Sequence, residues 1–386
     1  MEIAAGLTQA SGTDTRWWRS ALPPGERKRL TVLTAIVLTY AVLAQIIAFA
    51  VAGEIAMKLY ALADHTLMVI GASLALIVTA HLCVTLLHTP WHAVPLHIWE
   101  DAKTHVLRRD RFLSLFVPLA LLPLFIPAFL TLKSLIPDVY PFEFDATLHE
   151  LDRWLHFGTD PWRITHAVFG GDTATFVLSL LYNLWFLLIW GAAFYAITRV
   201  DRPVERFQYL CAMLACWIIN GTVLAYALSS AGPCYFGPLV GGGADPYQPL
   251  MEMLRAIDAR LAAASDWKGV WALDTQQALL TLHGTSDALT LGGISAMPSM
   301  HVSLSLVMAM GMWRFSRPLG AVLWVYAAAI LIGSIHLGWH YAADGYLSII
   351  TTVLIWKGIG WGIRRFGLDR TDSAAAETDT RLSFQT

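Results

Sequence analysis

A polytopic, all-α membrane helix bundle is the fold class this sequence predicts, and three observations predict it. Of the 386 residues, 56% are hydrophobic and only 14% charged, with a mean hydropathy of +0.55; a soluble chain of this size carries roughly a quarter charged residues. The apolar residues gather into runs close to the ~20 that a helix needs to cross a bilayer core about 30 Å thick. Lys and Arg crowd every second connection between those runs. The near balance of 26 basic against 28 acidic residues leaves no field that would recruit nucleic acid.

The apolar runs lie at 30–52, 67–88, 112–132, 174–198, 207–230, 296–313, 319–339 and 341–361, which gives about eight transmembrane helices. The last two are joined so closely that they form a tight hairpin. Before them, residues 1–29 are polar, contain Trp17 and Trp18, and lack the short apolar core of a cleavable signal; the first span reads as an uncleaved anchor. The tail, 366–386, is small and polar and is expected to be disordered. The four cysteines (Cys83, Cys211, Cys216, Cys234) have no metal-ligand spacing and read as small hydrophobes in packed helices.

Orientation follows from the basic residues. With eight spans both termini share a side, and that side holds nineteen of the 26, in clusters such as Arg27-Lys28-Arg29, Arg108-Arg109 and Arg364-Arg365. The other side keeps Lys58, Lys133, Arg153, Arg163, Arg255, Arg260 and Lys268. Both termini are therefore expected in the cytoplasm. Two extracytoplasmic segments look structured. Within 145–169, Leu148, Leu151, Trp154 and Leu155 recur at helical spacing with acids and His149 opposite, which suits a helix lying on the membrane surface or a cap over the bundle. The loop 231–294 is too long to be a plain connector and is a candidate cover for a substrate site.

Ionisable residues at membrane depth are costly and tend to be functional, and the last third of the chain concentrates them. Ser295 to His301 opens the sixth span with Pro298 and Ser299 at the start of a helix, where free backbone N–H groups and the positive end of the dipole favour an anion. Ser334 to Asp344 spans the final hairpin. His340 and Asp344 are four residues apart, so a helical start to the last span puts them on one face. A carboxylate there holds one imidazole nitrogen and leaves the other free as a nucleophile. His336 lies one turn earlier. Span parity sets both groups on the same extracytoplasmic (periplasmic or lumenal) face.

These two segments resemble the second and third signature motifs of the type 2 phosphatidic acid phosphatase superfamily, which also contains bacterial acid phosphatases and vanadium haloperoxidases. Pro298, Ser299 and His301 meet its Pro-Ser-x-His pattern; His340 and Asp344 meet its His-x-x-x-Asp. The resemblance implies that His340 attacks phosphorus to give a phosphohistidine and that Asp344 orients it. It also implies that His301 protonates the leaving oxygen and that Ser299 helps to hold the phosphate. The scheme implies no metal and no cofactor. The family core of six spans would occupy 112–361, with two extra spans and a cytoplasmic loop in 30–111.

The departures shift the expected chemistry. The family's first motif, a lysine followed at a distance by Arg-Pro, is replaced by Ala231-Gly232-Pro233-Cys234-Tyr235, and the arginine six residues before the nucleophile is Ser334. A site short of cations suits a diester monoanion better than a monoester dianion. A Pro-rich aromatic segment at this position is similar to the branch containing fungal inositol phosphorylceramide synthase. The expected function is therefore a lipid phosphotransferase that moves an inositol phosphate-like head group from a phosphodiester lipid to a lipid or alcohol acceptor. The alternative is a lipid phosphate phosphatase; a transporter or scaffold with a vestigial site is the competing class. Substrate contacts are expected from Ser299, His336, Tyr235 and Arg255, with Arg260 and Lys268 as further candidate cations; the plainer reading of Arg255, Arg260 and Lys268 is a solvated loop charge. His88, His92, His97 and His105 fit no metal template and read as an interfacial loop. Asn183 and Asn220 read as bonds between helices.

Overall fold

The computed structural model describes residues 22–52 and 108–370 apart from 242, 266 and 285–292, with scattered positions between 71 and 103. Most of the predicted span 67–88, the four histidines from His88 to His105 and most of the tail lie outside the described residues. Among those described, the chain is helical and contains no strand. In chain order the helices are α1 (Pro24–Ala52), α2 (Arg109–Ser134), the single turn α3 (Ile136–Val139), α4 (Asp145–Leu155), α5 (Pro161–Phe169) and α6 (Asp172–Thr198). Next come α7 (Pro203–Ile218), which continues through a wider turn to Ala227, then α8 (Gln248–Ala264) and α9 (Trp271–Leu282). The last three are α10 (Met300–Phe315), α11 (Arg317–His336) and α12 (Ala342–Arg365).

Among the described residues six helices (α1, α2, α6, α7, α11 and α12) are long and apolar enough to cross a membrane, at six of the eight predicted places. The predicted span 296–313 is different. Its helix, α10, begins only at Met300 and has 16 residues, so at 1.5 Å per residue it is about 24 Å long, short of a bilayer core. The reason is its place at the centre: every residue from Val302 to Ala309 is buried, against α6, α7, α11 and α12. A helix sheathed by other helices has no lipid thickness to match.

The ends of the bundle differ in chemistry. At one, buried Arg206 (α7) reaches Glu26 (α1) at 2.6 Å and also the Ser114 carbonyl (α2). Arg29 bonds both Glu26 and the Leu368 carbonyl beyond α12. Four segments are thus tied by one ionic knot in an apolar setting. α1 and α2 both start at this end and run side by side toward the other, where Tyr40 bonds Thr222 on the way and Tyr226 bonds the Leu132 carbonyl.

At the far end, the segment predicted as one surface helix is two short helices, α4 and α5, separated by a turn in which Phe157 has φ +56°. Its apolar side is outward: Trp154 is 76% and Phe157 99% exposed. Its acidic side is inward, with Asp145, Leu148 and Asp152 buried. The two helices pack over the end of the bundle, and the face assumed to be solvated is the packed one.

Glu26→Ala would leave Arg206 and Arg29 buried without their carboxylate partner, at a cost of about 3–5 kcal/mol. Thermal unfolding of the purified protein should show a clearly lowered midpoint. Activity per folded molecule should be unchanged, because the knot lies at the end away from the histidines.

Candidate active site

The end of the bundle opposite the ionic knot collects both sequence motifs. Ser299 caps α10: its Oγ accepts the Val302 N–H at 3.4 Å and its carbonyl accepts the Ser303 N–H. That sets His301 in the first turn, with its imidazole against two aromatic rings of α6. Tyr182 is stacked on it at 4.3 Å between centroids, and Trp185 lies 4.2 Å away. Trp185 Nε1–H also donates to the His301 carbonyl at 3.1 Å. The wall fixes the ring by packing and leaves both its nitrogens without a hydrogen bond among the described residues.

His340 is in the short link between α11 and α12. Its N–H and that of Trp339 both donate to the Ser334 carbonyl, at 3.1 and 2.9 Å, after Gly338 has turned the chain at φ +73°. His340 Nδ1 faces Asp344 Oδ2 at 3.3 Å, and the same oxygen accepts the Tyr341 N–H at 3.1 Å. Asp344 is fully buried and His340 is 7% exposed. Donation from Nδ1–H to the carboxylate leaves the Nε2 lone pair available. The His301 and His340 rings are 6.2 Å apart, too far for a direct bond and near enough for both to reach one phosphoryl group.

The segment at the first-motif position docks on this link. Cys234 N–H donates to the Gly338 carbonyl at 2.8 Å. Gly232 has φ +101°, and a Cβ there would sit 2.7 Å from the Trp339 carbonyl; only glycine admits both the backbone and the approach.

Two carboxylates of α4 hold these loops. Asp145 accepts the N–H groups of Ala231 and Gly232 and the Tyr341 hydroxyl, each at 2.8 Å. Asp152 accepts the N–H groups of Ala342 and Ala343, both at 2.8 Å, so it sits on the positive end of α12 immediately after His340. Burial raises the pKa of both, Asp152 to about 6, against the pull of the amide N–H bonds. Seven residues apart, they lie on one face two turns from each other. That spacing was visible in the sequence, but a polar face beside an exposed Trp154 reads as solvated. Tyr182 and Trp185 were missed for another reason: an aromatic on an apolar span gives no sign of what it packs against.

Of the predicted residues, Ser299, His301, His340 and Asp344 come together. His336 does not join them. It is fully buried one turn below, stacked on His166 at 3.6 Å and bonded through Nε2 to Thr175 at 3.0 Å. Tyr235 and Arg255 line a separate outer cavity of about 330 Å³ with Asp245, Gln248 and Gln276. Gln276 ties its wall to the segment that carries His340 by donating to the Leu337 carbonyl at 2.9 Å. Arg260 is paired with Asp172 and Lys268 lies over Trp267. Asn220 bonds Ser303 across helices as its position suggested, whereas Asn183 bonds the Ser179 carbonyl of its own helix.

Asp152→Asn should leave one of the two N–H groups unpaired, costing on the order of 1–3 kcal/mol, and lower turnover more than substrate affinity. A raised carboxyl pKa contributes stability that is present below pH ~4 and is lost as pH rises through about 6. Unfolding midpoints measured across that window should therefore fall less with rising pH in the asparagine variant than in the wild type.

The family model described as the PAP2 superfamily matches residues 146–357, from the first turns of α4 to the middle of α12. No curated protein and no solved structure matches the chain. The matched region holds both histidines, Asp344 and the helices that carry them, and it spans more than half of the sequence. The chain is a member of the PAP2 superfamily, an integral membrane protein with phosphatase or phosphotransferase-type chemistry.

Proposed function

We propose that this protein is a lipid phosphotransferase in which His340 carries the transferred group as a phosphohistidine. The observation that bears this reading is the pair of facing imidazoles, 6.2 Å apart, one of them held through Nδ1 by buried Asp344. In the first step the Nε2 lone pair of His340 bonds to phosphorus as the bond to the departing alcohol breaks, and His301 supplies that alcohol's proton. In the second, His301 takes the proton of an acceptor hydroxyl, the new oxygen–phosphorus bond forms, and the bond to His340 breaks. Ser299, already at the N-terminus of α10, is free to donate its hydroxyl proton to a phosphoryl oxygen. Asp344 acts by fixing the tautomer and offsetting the positive charge that develops on His340.

The scarcity of cations supports a monoanionic diester donor. Of the cation candidates read from the sequence, Arg260 is engaged elsewhere, and Arg255 lines the outer cavity. The resemblance of the segment from Ala231 to Pro238 to the inositol phosphorylceramide synthase branch supports an inositol phosphate-like head group, and a lipid or alcohol acceptor. The basic residues at the opposite end support an extracytoplasmic site with both termini in the cytoplasm. Water in place of the acceptor would give hydrolysis through the same residues.

Two experiments test this. Purified protein given a head-group-labelled phospholipid should form a labelled product lipid only when ceramide or diacylglycerol is added; release of inorganic phosphate or free head-group phosphate, indifferent to either lipid, would establish the hydrolase instead. His340→Ala should abolish turnover of every donor. His301→Ala should lose about 10²- to 10⁴-fold with an alkyl leaving group and far less with p-nitrophenolate, which departs without a proton. Equal losses on both donors would remove His301 from the role of acid.

A further inference from the structure

The site has lost the cations that its superfamily places in the first motif and before the nucleophile, yet an anion must sit between His301 and His340. One cation stands close by on a helix that the sequence motifs do not touch. Lys133 is in the last turn of α2, at the histidine end of the bundle. Phe129, four residues earlier and so on the same face of α2, packs at Gly221; a Cβ on that glycine would lie 2.7 Å from the Phe129 ring and 3.0 Å from Met300 Sδ. That face of α2 is therefore directed at the first turn of α10. From the other side, the stretch leading into Pro298 crosses the end of α2: a Cβ on Gly293 would lie 3.2 Å from Ser134 Cα and 3.6 Å from the Lys133 carbonyl. The Ala296 N–H then bonds the Ser230 carbonyl and ties this stretch to the loop beneath His340. Across this gap the Lys133 charge acts on His301.

An ammonium half-buried at the end of a membrane helix normally holds a carboxylate or a carbonyl. Among the described residues Lys133 has neither an ion pair nor a hydrogen bond, whereas Asp145 and Asp152 are held by backbone amides and Asp344 by His340. Lys133 is thus an ammonium without a bonded anion among the described residues, at the end of the bundle that holds His301.

We propose that Lys133 is the phosphate-binding cation of this site, delivered from α2 in place of the lysine and arginines that the superfamily draws from later segments. The proposal rests on the phosphohistidine reading above and adds to it the substrate's charge. One fixed cation and one transiently protonated imidazole match a phosphodiester monoanion, whereas a monoester dianion would remain undercompensated. The simpler role for a lysine here is to offset the negative end of the α2 dipole, and that role makes a different prediction.

The test uses full-length protein in lipid nanodiscs, with orthovanadate as a phosphoryl mimic and a labelled phosphodiester lipid as donor. Lys133→Met should raise both the vanadate concentration for half-inhibition and the donor KM by about tenfold or more, the scale of a lost charged hydrogen bond. Lys133→Arg should recover a large part of both, which also guards against a methionine variant that folds poorly. A dipole role would lower the unfolding temperature of Lys133→Met and leave vanadate inhibition and KM unchanged; that result overturns the proposal. If the wild type itself is insensitive to vanadate and forms no adduct on His340, the phosphohistidine reading fails first, and the clamp with it.

Discussion

The geometry of this site depends on two buried carboxylates that accept backbone N–H groups in pairs. A carboxylate has two oxygens set to receive two successive amides, and in a membrane protein those amides have no water to turn to. Asp145 holds the loop at Ala231 and Gly232, and Asp152 holds the first turn of α12. Between them they immobilise both walls of the His340 link. The short helix α4 is thereby a brace, its two acids inward and its Trp154 outward. Desolvation works against this arrangement and raises both pKa values; four short N–H contacts work for it.

With the link fixed, the remaining chemistry is electrostatic. Asp344 is wholly buried and shares one oxygen between His340 and the Tyr341 N–H, so it orients without reaching substrate. The His301 ring is held by packing, and neither of its nitrogens is hydrogen-bonded among the described residues. The opposite end of the bundle concentrates its own charges in the Glu26–Arg206–Arg29 knot. The structural ions of that knot sit where the basic residues are dense, while at the site end Arg153 and Arg163 lie beside Asp160 and Arg260 is paired with Asp172.

Much of this was legible in the sequence because membrane helices announce themselves by composition and because the two histidine motifs keep fixed local spacing. His340 and Asp344 meet through a single turn of helix, and Ser299 caps the helix that its neighbour Pro298 starts; local rules suffice for both. What spacing does not reveal is which residues of other helices close the site. α10 read as a span because it is apolar, yet it is apolar because it is central. His336 read as a phosphate contact from its place one turn before His340, but the turn that Gly338 makes sends the link the other way and leaves His336 against His166 and Thr175. Lys133 was visible as an ionisable residue at the end of a span, which by itself is a functional signal; that α2 ends beside α10 is a matter of tertiary packing, which spacing does not carry.

If His340 Nε2 is the attacking nucleophile, covalent mapping will find the transferred group on it. Wild-type protein mixed with donor lipid in the absence of acceptor, quenched in alkali and digested for mass spectrometry, should carry the transferred phosphoryl head group on the peptide containing His340. The adduct should be lost in acid and discharged when acceptor lipid is added before the quench. Turnover at full rate with no such adduct, or with the group on any other residue, would contradict the account.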